Sequence, residues 1–313
     1  MPAKVSVQHL DKSLIGMEPI QEVIETCFFT AALANAIPLS LILVGPPGTG
    51  KSKVILQYES PHIHKTNDIT SIGLTAVMED DSKENCVRHI IIPDFNIVVS
   101  HKSSTSNLTV ASLLTLMSEG IIRVDDGRRN KEIIHAPIGV ITAMTRDIYE
   151  ENANRFRQLG IARRFLPVYF SYSIATRERV QASIARGEVT LRQLVPRKVF
   201  LPQQEKWPIT IEVPVQFSAR LQNLSRDMSE SLAFMPHWEK SYAGSKAEGH
   251  TNESWKIVPY RGATPIEFTP HMILRTMAIA HALRAGRKIV KEPDIDFTTR
   301  FVAMTNYANP TLL

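Results

Sequence analysis

The chain has 313 residues, 43% of them hydrophobic and 21% charged, with 36 Lys and Arg against 31 Asp and Glu for a net charge of +5. That length holds one large domain or two modest ones, and the apolar share is that of a globular protein with a real core rather than a disordered chain. The mild basic excess permits a polyanionic partner without demanding one.

The first residues, MPAKVSVQHLDKS, lack the apolar core of a signal peptide. The longest apolar stretch, Ala31 to Val44, is interrupted by Asn35, Pro38 and Ser40, too often and too soon to span a bilayer. The two cysteines, Cys27 and Cys86, show no metal spacing and read as buried thiols of a reducing compartment. A cytoplasmic protein without a membrane partner is expected.

In chain order, Ile20, Val23, Ile24, Cys27, Phe28 and Ala31 recur at helical spacing after Pro19, a residue suited to a first turn. Leu41 to Val44 form a short apolar run that reads as a buried parallel strand. GPPGTGKS follows, from Gly45 to Ser52, and fits G-x-x-x-x-G-K-[ST] with Gly45, Gly50, Lys51 and Ser52 in register. The chemistry needs these types at this spacing. Gly45, Gly48 and Gly50 let the backbone of Gly45, Pro46, Pro47, Gly48, Thr49 and Gly50 curl so that its N–H groups face phosphate oxygens. Lys51 reaches the β- and γ-phosphates, and Ser52 offers a hydroxyl to magnesium. A helix starting near Ser52 adds its positive end, and Pro61 must end it.

HIIIPD, His89 to Asp94, predicts a second buried strand. A helix follows with Val110, Leu113, Leu114 and Met117 on one face and Gly120 as its stop. IGVIT, Ile138 to Thr142, predicts a strand, and FLPVYF, Phe165 to Phe170, an edge or broken one because of Pro167. Strands alternating with helices argue for a parallel sheet with helices on both faces. Composition shifts after about Ala175. A helix over ATRERVQASIARG leads into a Pro-containing stretch, and Phe234 to Ser254 reads as a solvated loop. Two helices close the chain, one lined by Ile273, Met277, Ala280 and Leu283 and ended by Gly286, the other lined by Phe297, Phe301 and Met304 and opened by Pro293. The predicted organisation is an α/β nucleotide-binding core over 1–175 and a mainly helical lid domain over 176–313, with a loop-rich insertion around 195–264.

These pieces together resemble the AAA+ ATPases, P-loop NTPases, and within them MoxR-type and minichromosome-maintenance-like members. LIGMEPIQEVIETCFFTAALAN resembles the helix before the P-loop of MoxR-type proteins, and GPPGTGKS is the AAA+ style of that loop. LLTLMSEGIIRVDDG resembles a MoxR-type helix ending in Glu-Gly before a β-turn. GVITAMTRD sits where the family places sensor 1, and ARRFLPVYF resembles the Arg-Phe motif of AAA+ rings. MILRTMAIAHALRAGRKIVKEPDI resembles the lid helix and the turn after it. The resemblance covers roughly residues 12–175 and 265–310.

The resemblance implies ATP and Mg2+ as ligands, with Thr145 at the sensor 1 position, where a hydroxyl replaces the usual amide. It implies an arginine finger at Arg164, with Arg163 as competitor, and a lid arginine at Arg275, with His271 as the alternative. An arginine finger reaches the γ-phosphate on a neighbouring subunit, so a homo-oligomer, a ring or helical assembly of hexamer type, is implied. The departure lies in HIIIPDF. The family places Asp-Glu after the strand. One register makes Asp94 the magnesium residue with Phe95 at the base, and the other puts Pro93 at the magnesium position with Asp94 as base. Either leaves one carboxylate missing, and Glu119 and His101 are the nearest substitutes. The expected function is an ATPase that remodels a protein client or effector. The alternative is a slow or non-hydrolysing, nucleotide-gated oligomer. Nucleic acid enters only through the net charge and the run Gly127 to Lys131.

Overall fold

A computed structural model describes residues 14–79, 86–100, 103–125, 130–187, 195–203, 206–243, 252–261 and 268–313. The chain opens with helix α1 (Glu18–Phe29), Pro19 in its first turn and Ile20, Val23, Ile24, Cys27 and Phe28 buried along one face. Strand β1 (Ser40–Gly45) and helix α2 (Lys51–Leu56) follow, then β2 (Tyr58–Glu59), β3 (Ile63–Lys65), α3 (Ser71–Glu79), β4 (His89–Ile92), α4 (Phe95–Ser100) and α5 (Ser103–Glu119). A hairpin of β5 (Ile121–Asp125) and β6 (Asn130–Ile134) leads to β7 (Gly139–Thr145), α6 (Arg146–Leu159), β8 (Phe165–Ser171) and α7 (Ile174–Ala185). The remainder is β9 (Arg197–Lys198), α8 (Val215–Ala233), the hairpin β10 (Phe234–Ala243) and β11 (Asn252–Arg261), α9 (Phe268–Arg284), α10 (Glu292–Met304) and β12 (Thr311–Leu312).

Six strands form one parallel sheet in the order β12-β8-β1-β7-β4-β3. Alternation along β1 sorts its side chains onto two faces. Leu41 and Leu43 join an apolar cluster with α1, α8, α9 and α10 through Phe28, Leu221, Met277 and Phe301. Ile42 and Val44 join a second cluster with α3 to α6 through Leu74, Phe95, Leu113 and Phe156. Each buried Leu or Ile contributes about 1.5–3 kcal/mol, so the sheet is held from both sides. The expected parallel sheet with helices on both faces is therefore present.

Gly120 ends α5 at φ +69°, and a Cβ there would lie 2.0 Å from the His135 carbonyl oxygen. Only glycine combines that conformation with so close an approach. Pro167 lies in β8, which pairs with β1 along Phe165–Tyr169 and with β12 only at Phe170 and Ser171. Its missing N–H falls on the stretch with no second partner strand, as the edge reading required.

Two readings of the second half change. Phe234–Ala243 and Asn252–Arg261 are antiparallel strands in register, Trp238 opposite Ile257, and not a loop. Aromatic and β-branched residues are interleaved there with Lys, Glu and Ser, so a pleated ribbon carries the composition of a solvated segment. Within 195–264, α8 is a 19-residue helix. Phe217, Leu221 and Met228 are buried, and Leu224 and Leu232 pack against the same cluster, a helical period present in the sequence. The three helices α8, α9 and α10 share their core with one face of the sheet.

Charged groups tie α9 and α10 to α1. His281 Nδ1 lies 2.6 Å from Asp294 Oδ1 and its Nε2 lies 3.2 Å from Glu22 Oε1, while its ring stacks on Phe297. Burial alone would push this imidazole down, but the hydrogen bonds to Asp294 and Glu22 outweigh it and hold its pKa above the usual histidine value. Arg287 reaches Asp294, Arg300 reaches Glu22, and Arg284 reaches Glu25. Among the described residues, no helix is long and apolar enough to cross a membrane.

Candidate functional site

The carboxyl edge of the sheet gathers the candidate residues. Gly45 ends β1 and pairs with Thr145, which ends β7. A Cβ at Gly45 would lie 2.9 Å from the Phe170 carbonyl oxygen, so the loop can leave the strand here only through glycine. Gly48 and Gly50 have φ of +75° and +77°, the left-handed turns that curl the loop. Thr49 Oγ1 donates to the Pro46 carbonyl at 2.8 Å, and Tyr172 Oη donates to the Thr49 carbonyl at 3.1 Å, bracing the loop from inside and from the residue that follows β8.

Lys51 is buried, with 8% of its surface exposed. Its Nζ donates to the carbonyls of Gly45 at 2.8 Å and Pro46 at 2.6 Å. Burial pulls its pKa down to about 8, and the nearby Asp94 charge opposes that fall. An ammonium held inside a loop by that loop's own carbonyls is a cation that an anionic group can engage by displacing them. The first intrahelical bond of α2 runs from Val54 N to Gly50 O, so the N–H groups of Lys51, Ser52 and Lys53 precede it.

The β4 corner is built differently. Ser52 Oγ donates to the Pro93 carbonyl at 3.1 Å. Asp94 is exposed, and its Oδ1 accepts the Asn96 N–H at 3.0 Å, capping α4. Phe95 is fully buried, 5.5 Å from Phe165 and 6.3 Å from Phe156 by ring centroids. It belongs to the core and does not face the loop as a base would. Thr142, on β7, donates its hydroxyl to the Ile92 carbonyl at 2.6 Å and locks β7 to β4 one residue short of this corner.

For magnesium, Ser52 is exposed beside the Gly45–Gly50 loop and supplies a suitable oxygen. Asp94 is exposed close to Lys51, and the bond to the Asn96 N–H uses one of its two carboxylate oxygens, so it also fits, whereas Phe95 stands where the second carboxylate of the expected pair would be. Among the described residues no group of three or more His, Cys, Asp or Glu side chains is placed to hold a metal ion.

Thr145 is half-buried, and its hydroxyl does not cap α6. Arg163 and Arg164 are both exposed. They precede Phe165, which pairs with Ser40 at the opposite end of β1 from Gly45. Five residue steps separate those ends, about 17 Å. Neither arginine serves the loop of its own chain. Arg275 is exposed on α9 and His271 is half-buried one turn earlier, and no hydrogen bond or ion pair joins either to the loop among the described residues. Glu119 is exposed at the end of α5. His101 and Gly127–Arg129 lie outside the described residues. Cys27 is buried as expected, whereas Cys86 is half-buried with its sulfur 3.6 Å from His135 Nε2.

Sequence reasoning missed Thr142 and Tyr172, and it weighed Pro93 by its side chain without the contact that its carbonyl makes to Ser52. Pro93 and Tyr172 act on or through backbone carbonyls, which no side-chain pattern announces. No protein-family model matches this chain, and no curated protein matches it. The six-stranded parallel sheet with the P-loop at its carboxyl edge is compatible with a P-loop NTPase core.

Proposed function

We propose that this chain is a P-loop ATPase of the AAA+ type, with MoxR-like and minichromosome-maintenance-like features, that binds ATP between copies of itself. Nucleotide state would then remodel or regulate a protein partner. The observation that carries the reading is the Lys51 ammonium held on the Gly45 and Pro46 carbonyls at the carboxyl edge of a parallel sheet. Ligands gather at that edge in open α/β sheets.

In this reading, the β- and γ-phosphates displace the two carbonyls from Lys51. Thr145, beside Gly45 in the sheet register, orients water toward the γ-phosphate. Magnesium, when bound with the nucleotide, neutralises phosphate oxygens, and Ser52 is the residue that would ligate it. Arg164, at the far edge of the sheet, reaches the nucleotide of a neighbouring copy and stabilises charge there, with Arg163 one residue away. The separation of Arg164 from the loop of its own chain favours an interface role.

A second reading is favoured by the β4 corner. With Phe95 buried and Asp94 engaging the Asn96 N–H through one oxygen, this corner lacks the second carboxylate of the expected pair. Turnover is then slow, and ATP acts mainly to order the oligomer.

Two measurements test the proposal. Titration with a fluorescent ATP analogue should give saturable binding, and its absence would remove the nucleotide site. Mixing Lys51→Ala with Arg164→Ala subunits should recover activity that neither has alone, because one type of junction keeps both groups intact. A protein that hydrolyses ATP normally as a monomer would refute the interface role.

A further inference from the structure

We infer that the amino edge of the sheet carries a ligand site of its own, for a small organic carboxylate with an apolar body, held by Arg88 beside Trp207. It lies at the opposite edge from the Gly45–Gly50 loop and stands whether or not that loop binds ATP.

The site is built from chain that leads into the strands. Pro38 precedes β1, Arg88 precedes β4 and Pro137 precedes β7, so three lead-ins meet at one edge. The Arg88 backbone is pinned on both sides: its N–H donates to the His62 carbonyl at 2.9 Å, and its carbonyl accepts the Gly139 N–H at 2.8 Å. A further wall comes from far along the chain. The Ala34 N–H donates to the Ile209 carbonyl at 2.9 Å and the Ile209 N–H to the Ala32 carbonyl at 2.8 Å, which seats Trp207 and Pro208 beside the segment after α1. Trp207 Nε1 donates to the Pro202 carbonyl at 3.0 Å, so its polar atom is satisfied and its ring is left as a wall. His62 packs against that ring, with 5.2 Å between centroids. Together these residues border a cavity of about 330 Å³, at the small end of ligand pockets.

Arg88 is the one charged residue among those that line it. Its guanidinium lies over the Trp207 ring, 5.6 Å from the centroid, a cation on a π face. The ring takes one face of the guanidinium and leaves the in-plane N–H groups for hydrogen bonds. Among the described residues no carboxylate pairs with Arg88, and its Nε is buried without a hydrogen-bond partner. A buried charged donor without an acceptor is costly, and such a group points to a ligand, ion or water that supplies one. The remaining walls are Ala and Pro side chains, which offer contact and no hydrogen bonds. One cation in an apolar cleft matches one negative charge on an apolar body, and the planar fork fits a carboxylate through two parallel N–H···O bonds. A phosphate ester with two charges would leave one of them without a partner here.

The test is calorimetric titration of the wild-type chain with 3-phenylpropionate, with its amide and with acetate. The aromatic carboxylate should bind one to one with a dissociation constant of about 1 mM or tighter, and at least about tenfold tighter than either the amide or acetate. Arg88→Gln should bring carboxylate and amide within about threefold of each other. Equal binding of carboxylate and amide to the wild-type chain would refute the role of Arg88. Acetate binding as tightly as 3-phenylpropionate would refute the apolar body, and no saturable binding up to about 10 mM would remove the site. Tryptophan fluorescence locates the ligand: the change on binding should be lost in Trp207→Phe, and a change that persists would overturn the assignment. Displacement of a bound fluorescent ATP analogue by 3-phenylpropionate would overturn it as well, by placing the carboxylate at Lys51, whereas failure of that analogue to bind at all bears on the ATP reading alone. If Arg88→Gln does not fold, the wild-type selectivity and the Trp207 signal decide.

Discussion

Two corners of the same sheet edge differ in kind. The loop after β1 exposes backbone donors and holds one cation on replaceable carbonyls. The loop after β4, joined to it by Ser52 and Pro93, closes on itself: its carboxylate caps a helix and its aromatic ring enters the core. In the ATP reading proposed above, a phosphate site and a catalytic site are separable, and the residues for the first are more complete than those for the second.

The sharpest way to break that comparison is Phe95→Glu. By the resemblance to AAA+ proteins it restores a base. By the structure it puts a carboxylate among Phe156 and Phe165. Loss of the ring alone costs about 3–5 kcal/mol, and an unpaired buried charge adds to it. Urea unfolding should show a midpoint far below wild type. A variant as stable as wild type, with faster hydrolysis, would mean that Phe95 can swing out and that the β4 corner is open after all.

Lys51→Ala addresses the other corner. Charge-assisted hydrogen bonds contribute about 1.5–3 kcal/mol, so ATP affinity should fall by about tenfold to a hundredfold. Circular dichroism should be unchanged, since the ammonium bonds only to its own loop.

The pH dependence of binding sharpens the same point. Burial holds Lys51 at about 8 in the free chain. An anionic ligand favours the protonated form, so the bound-state value is higher and binding takes up a proton above pH 8. Affinity should be flat below that value. Above it, affinity should fall by up to about tenfold per unit until the bound-state value is reached. Calorimetry in buffers of different ionisation enthalpy would detect the proton uptake, and a flat profile to pH 10 would deny the ion pair.

The smallest effect is expected from Asp94→Ala. Loss of the cap on α4 should lower stability by about 0.5–2 kcal/mol, read by chemical denaturation. Stability unchanged, with turnover abolished, would return Asp94 to the catalytic role that its sequence position proposes.

The contrast also explains what could be read in advance. The β1 corner was legible because loop geometry is written in residue types: Gly48 and Gly50 supply left-handed turns, and Lys51 supplies the cation of the motif. The strands β1, β4 and β7 were legible as apolar runs too long for a turn and too short for a helix. The β4 corner was not, because the partner of Ser52 is a carbonyl, and whether Phe95 faces loop or core depends on packing with residues 60 and more positions away. The helix α8 was legible but hidden by prolines before it. The two-residue strands β2, β9 and β12 exist only through pairing with distant chain, which no local pattern encodes.

That distant pairing has a consequence for how the molecule comes apart. β12 joins β8 through Leu313 N to Ser171 O and Ser173 N to Leu313 O, across about 140 residues, a separation far outside local contact order. Tyr307 meanwhile bonds Glu150 on α6, and His281 bridges α9 to Glu22 on α1. The polypeptide thus crosses between sheet and helices several times, and each crossing ends in a contact made by the other part. Severing the backbone near residue 190 would remove an outer strand and a charged clamp from the first piece, and strip the apolar support from the second. Unfolding should accordingly be a single cooperative event rather than the sequential loss of two independent modules.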